Sequence, residues 1–457
     1  MRRWLQTFAV SIAIATLLLT VLAGPGVSLA RASPATVAPS LGVVARIPIP
    51  AAEGAPGTFA WGPVYDPDNG VVYVELAPAV LGNYSLYAIS GANDSIVSTV
   101  ALETTDVAPP TPDPTNGHLY ISTGGSFGPG SRGWNETVIS GDTNTLLRKV
   151  PVCADAGIPV LDPGNGKLYV PCPYQLSVIS TTNDSLVTTL DTLSAATLAT
   201  YSNLSGEMYI PSGSNLTVFS PANSTMGPTI FLRPANAESS IQGMFFDAAD
   251  GDLYVSLGNG LLDIVSTLTN RLVGSLPGVG PAELVGPGGV VDAFEFGNRS
   301  TNVSVISPVT NGLVAHFRLP SMNGFAYDAG SGHLYAVSAI GDGTVYEITM
   351  VTGATLASLT VGTPLVEYPV YDPGNGDVYL QDWTPFSTSI LVIGATTPSS
   401  TGPFVESTFL EGVGAGLLIA GATGTGALVV LRRRDRRRKS GSLDRSAGSS
   451  DRVGSGR

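Results

Sequence analysis

Histidine and cysteine are scarce, with three His and two Cys in 457 residues. That leaves little for a metal-rich protein or a disulfide scaffold, and little for chemistry that runs on imidazole. Charged residues are also few, at 12%, beside 43% hydrophobic, which excludes a disordered, highly charged chain. Bases are nearly missing from the body. Residues 32–431 hold only nine (Arg46, Arg132, Arg148, Lys149, Lys167, Arg233, Arg271, Arg299 and Arg318) against 32 acids, a balance of -23. Such acidity argues against nucleic acid as a partner. What the chain has in excess is 55 Gly and 34 Pro, with no collagen period, as a fold of very many turns requires.

The two ends differ from the body. Arg2 and Arg3 precede an apolar run from Trp4 to Ala23, and Ser28-Leu29-Ala30 has the small-x-Ala form of a cleavage site. Residues 1–30 are expected to be a secretory signal peptide, with an uncleaved anchor as the alternative. Residues 412–431 are 20 uncharged positions, long enough as a helix to span about 30 Å of hydrocarbon. Arg432-Arg433-Arg434-Asp435-Arg436-Arg437-Arg438-Lys439 follows at once, and such a cluster stays on the cytoplasmic side. The expectation is a single transmembrane helix at 412–431, after a linker at 399–411, with the body outside and a basic, disordered cytoplasmic tail at 432–457. Gly412-x-x-x-Gly416 also has the spacing of a small-residue helix contact.

The body repeats one unit. A short apolar segment ending in a small residue closes at Ser90, Ser140, Ser180, Ser220, Ser266, Ser307, Thr349 and Gly394, in steps of 50, 40, 40, 46, 41, 42 and 45. Upstream lies a turn and a β-rich triplet, as in Asp66-Pro-Asp-Asn-Gly-Val-Val-Tyr73, Asp162-Pro-Gly-Asn-Gly-Lys-Leu-Tyr169 and Asp372-Pro-Gly-Asn-Gly-Asp-Val-Tyr379. Asp caps the turn, Pro presets φ, and Asn-Gly supplies positive φ. The sixth unit, around Val290 to Phe296, has lost the turn. Each unit reads as strands A, B, C and D, a period that signifies propeller blades. The eighth unit lacks a D strand, while Val43 to Pro48 resembles one. The fold class expected is therefore all-β, an eight-bladed β-propeller closed by an N-terminal strand, over residues 43–398. Seven blades is the alternative if the sixth unit is an insertion.

The turn, the Leu-Tyr-Val-type triplets (Val72-Tyr73-Val74, Leu168-Tyr169-Val170, Leu253-Tyr254-Val255) and the Val-Ser-Val-Ile strands resemble the YVTN-type propeller repeats of prokaryotic, often archaeal, surface-layer and secreted proteins. The family's Thr-Asn continuation is replaced by Glu75-Leu76, Pro171-Cys172 and Ser256-Leu257. The resemblance implies the fold and says little of function, since propellers host adhesins, lyases, lactonases and dehydrogenases alike.

No catalytic set emerges. His118 and His333 share one repeat position with Lys167, Glu207, Asp252 and Asp377, a mixture of charges that reads as a solvated strand edge. His316 falls in a D strand. Asp66-x-Asp68-x-Gly70 partly imitates a calcium loop, but it recurs as turn chemistry and lacks the downstream ligands. No metal and no cofactor is expected. Cys153 and Cys172 flank one hairpin of an exported chain and are expected to pair. Nine Asn-x-Ser/Thr sequons, at Asn83, Asn93, Asn135, Asn183, Asn203, Asn215, Asn223, Asn298 and Asn302, are candidates for glycosylation.

The B–C loops are long in unit 1 (Leu76 to Asn83), unit 2 (Gly124 to Asn135) and unit 8 (Gln381 to Ser387). Ring closure would make these units neighbours and gather Trp61, Phe127, Trp134, Trp383 and Phe386 on one rim, facing away from the membrane. Clustered aromatics suit stacking on sugars or anchoring a protein. The functional expectation is a cell-membrane protein with its propeller on the extracellular side. It would bind extracellular glycan or protein, or form part of a surface layer. The alternative is an extracytoplasmic lactonase- or lyase-type enzyme using the central channel.

Overall fold

A computed structural model describes residues 40–396, except 51–57, 60, 78–82, 103, 105, 125–132, 193–196, 233–239, 280–282, 286–290, 298–299, 340, 351, 363–367 and 385–386. The expected signal peptide, linker, transmembrane segment and tail lie outside the described residues. Among the described residues no helix is long and apolar enough to cross a membrane.

Eight antiparallel sheets follow one another along the chain. The third shows the plan, with A at Val160–Asp162, B at Lys167–Cys172, C at Gln175–Ser180 and D at Ser185–Asp191. The sixth unit is a full blade, built from Glu283–Val285, Val291–Gly297, Ser300–Ser307 and Gly312–Pro320. Eight blades, not seven, is therefore the count. The eighth sheet draws on both ends of the chain. The strand Ser40–Pro48 pairs antiparallel with Ser387–Thr396, from Ser40 opposite Thr396 to Pro48 opposite Ser389. Arg46 forms an ion pair with the buried Asp382 in the same sheet.

Alternating strand directions place the A–B and C–D turns on one side of the ring, the turn face, and the B–C and D–A connections on the other, the loop face. The turn face repeats one set of bonds. In the first blade Asp66 Oδ1 accepts from the Asp68 amide (3.1 Å), the Gly70 amide donates to the Asp66 carbonyl (3.0 Å), and Gly70 sits at φ 67°. Asn69 Nδ2 donates to Tyr73 Oη within the blade (3.0 Å) and to the Gly141 carbonyl of the next (3.2 Å), while Tyr73 Oη donates to Asn144 Oδ1 (2.7 Å). The same clasp joins Tyr120 to Asp184, Tyr209 to Asn270 and Tyr254 to Asn311. It also joins the eighth blade to the first, through Asn375 to the Gly91 carbonyl (2.8 Å) and Tyr379 to Asp94 (2.7 Å).

Where the tyrosine is lost, so is its acceptor. The sixth blade carries Phe294 and the seventh has Gly353 in the matching turn, and Phe294 instead stacks on Phe325 at 3.9 Å. Both faces of each blade are thus covered, and apolar clusters fill the spaces between neighbours. Each C–D pairing carries a register shift. Such a bulge bends the outer strand and blunts it against pairing with another chain.

Candidate functional site

The loop face over blades 8, 1 and 2 departs most from the repeat. Trp61, in the connection into the first blade, is exposed at 41%, and its Nε1 donates to the Val107 carbonyl at 2.7 Å. Tyr368 stands beside it. It is exposed at 42%, holds φ 66°, and its Cβ fills the space that a side chain on Gly62 would need. Positive φ on a bulky residue is an outlier of the kind that collects at functional positions. No sequence signal marked Tyr368; only its backbone conformation does.

The five aromatic residues expected on this rim divide. Trp61 is on the surface. Trp134 is buried at 8%, packed on Gly124 with Tyr120, Val138 and Cys153 around it. At that burial its ring packs into the protein and is not on the surface. Trp383 lies in the strand Asp377–Thr384, opposite Thr388. Phe127 and Phe386 fall outside the described residues.

Beneath this surface the second residue after the repeated tyrosine, which faces the following blade, turns polar. Gln381 in the eighth blade donates from Nε2 to the Trp61 carbonyl (2.7 Å). In the second blade Ser122 Oγ lies 2.8 Å from the Gly157 carbonyl and 2.9 Å from Glu136 Oε2. A hydroxyl has one proton to give. If Ser122 spends it on Gly157, the contact with Glu136 needs a proton from the glutamic acid. Burial agrees, since the fully enclosed Glu136 carboxyl is pushed up to about 8, with Ser122 pulling the other way. In the first blade the same level holds Glu75, buried, with no hydrogen-bond partner on either carboxylate oxygen, and pushed well above the ordinary range by burial. Blades 3 and 4 place Pro171 and Pro211 there, with Leu176 and Leu216 opposite. Buried carboxyls with raised pKa are a recognised sign of function, and a single Glu in an alternating strand looks solvent-facing in the sequence.

Cys153 and Cys172 are joined in a disulfide that ties the connection entering the third blade to the end of its B strand. The histidines are not solvated edges. His118 Nδ1 lies 3.3 Å from Asp184 of the next blade and His333 Nδ1 2.7 Å from Glu347. At that repeat position His118, Glu207 and Asp252 read the neighbouring turn, Glu207 through Asn270 Nδ2 (2.6 Å) and Asp252 through Asn311 Nδ2 (2.8 Å), while His333 stays within its own blade. His316 Nδ1 lies 3.1 Å from Ser304 Oγ. Among the described residues no group of three or more His, Cys, Asp or Glu could hold a metal ion. Asp66 serves its turn, as above.

The class of protein this defines is an eight-bladed β-propeller. No protein-family model and no curated protein matches the chain. Among solved structures it is similar to the C-terminal WD40 domain of Sif2 (TM-score 0.56, 10% identity, 79% of this chain and 99% of that one). BamB from Moraxella catarrhalis aligns with TM-score 0.53 and 13% identity over 78% of this chain and 99% of that one. The quinohemoprotein alcohol dehydrogenase from Comamonas testosteroni aligns with TM-score 0.55 and 10% identity over 80% and 79%. At these identities the likeness is one of fold alone.

Proposed function

We propose that this chain is a surface-anchored propeller that binds an extracellular glycan or protein through its loop face over blades 8, 1 and 2. The observation that carries this reading is the exposed pair Trp61 and Tyr368 above the buried polar side chains Gln381, Glu75, Ser122 and Glu136. An aromatic face suits the apolar side of a sugar ring or a partner's anchor residue. The first and last described strands begin and end at the turn face, with Ser40 opposite Thr396, on the side of the ring away from Trp61 and Tyr368. Export by residues 1–30, a basic tail inside and the resemblance to YVTN-type surface repeats support the reading. The acidic body favours neutral or basic ligands over anionic ones. The test is a glycan and surface-protein array probed with the full chain in detergent. Binding should fall roughly tenfold or more when Trp61→Ala and Tyr368→Ala are combined; no binding to any element, or binding that the double variant leaves unchanged, would overturn it.

A further inference from the structure

Three of the nine sequons occupy one repeat position. Asn93, Asn183 and Asn223 each stand third in a C–D turn, just before the residue at positive φ (Asp94, Asp184, Ser224). All three are exposed. In each the hydroxyl two residues on donates to the asparagine Oδ1: Ser95 to Asn93 (2.7 Å), Ser185 to Asn183 (2.7 Å) and Thr225 to Asn223 (2.5 Å). The carbonyl end of each exposed amide is held, and Nδ2, the atom a glycan would join, makes no hydrogen bond. Two strand sequons are arranged the other way. Asn135 Nδ2 donates to the Gly133 carbonyl (3.2 Å) and Asn302 Nδ2 to Glu295 Oε2 (2.9 Å), both from paired strands and both half-buried.

From this geometry we infer that Asn93, Asn183 and Asn223 are N-glycosylated and that Asn135 and Asn302 are not, which sets the glycans at the turn face of blades 1, 3 and 4. The inference rests on the extracellular placement proposed above. The donor would be an oligosaccharide activated as a lipid-linked phosphate ester. Nδ2 bonds to the anomeric carbon, the bond from that carbon to the phosphate oxygen breaks, the lipid phosphate leaves with the electron pair, and one amide proton passes to solvent. The product keeps its Oδ1, so the turn bond from the neighbouring hydroxyl survives modification and the clasp beside it is undisturbed. Glycans there coat the face opposite Trp61.

The test uses full-length protein from the membranes of its native cells, by glycopeptide mapping and intact mass, with protease shaving of the intact cells in parallel. The expected result is sugar on peptides containing Asn93, Asn183 and Asn223, bare peptides at Asn135 and Asn302, and loss of three glycan masses in the triple Asn→Gln variant. A propeller that is shaved from the cells yet bare at the three turns, or modified at the strand sequons instead, overturns the inference alone. A propeller that protease cannot reach overturns the extracellular reading and the inference with it.

Discussion

The two faces of this ring obey different rules. On the turn face, blade after blade reuses Asp, Asn, Gly and Tyr in one hydrogen-bonded clasp, and even its loss is paired, Phe294 with Gly353. On the loop face the repeat holds in blades 3 and 4 and breaks in blades 8, 1 and 2, where Gln381, Glu75 and Glu136 replace proline and leucine beneath Trp61 and Tyr368. Repetition therefore marks what holds the ring together, and the binding proposed above is assigned to the sector that departs from it. The junctions show the same contrast on a smaller scale. The second blade meets the third with His118 facing Asp184. The eighth meets the first with Asp377 near Asp94 and Asp372, and burial first, then those two charges, raises Asp377 to about 6.

The largest effect is expected at Glu136. Its folded value, about 8, lies above its ordinary 4.5, so the folded protein binds this proton more tightly than the unfolded chain does. The stability it contributes is complete below pH 4.5 and is lost as pH rises toward 8, at up to about 1.4 kcal/mol per pH unit. Glu136→Gln should flatten urea-unfolding free energies across that window; parallel pH profiles for the two proteins would contradict it. Next comes the clasp. Tyr120→Phe leaves Asp184 and Asn116 short of a partner and should cost about 1–2 kcal/mol in the urea midpoint. Phe294→Tyr should gain nothing, because Gly353 offers no acceptor; a gain would break the paired-loss account. The smallest effect is at Asp377, where Asp377→Asn should stabilise by about 1 kcal/mol at pH 7, discounted for its exposure. Because its folded value is raised above 3.8, the gain should vanish below about pH 4 in thermal melts across pH.

The sequence exposed most of the fold and little of the site, for physical reasons. Asp-Pro-x-Asn-Gly and the tyrosine triplets are local, so turn and strand can be read from adjacent residues. The partner of Tyr73 is Asn144, 71 residues on, and nothing local points to it. The sixth blade lost its turn signal yet kept its strands, which made seven blades a live alternative. Both faces of a propeller blade are buried, so alternation does not reveal whether Glu75 meets water or the next blade. The loop lengths grouped Trp134 with Trp61, whereas packing on Gly124 buries Trp134. Tyr368 became visible only through its backbone angle.

The central claim is that the loop-face sector binds and the turn-face clasp only holds, and one paired measurement addresses it most directly. Full-length wild type, the Trp61→Ala/Tyr368→Ala double variant and Tyr120→Phe are each measured for array binding and for melting temperature. The account predicts that the aromatic double variant loses binding roughly tenfold or more while its melting temperature stays within about 2 °C, and that Tyr120→Phe melts lower while binding as wild type does. Binding that survives in the double variant, or that disappears in Tyr120→Phe while the protein remains folded, would contradict it.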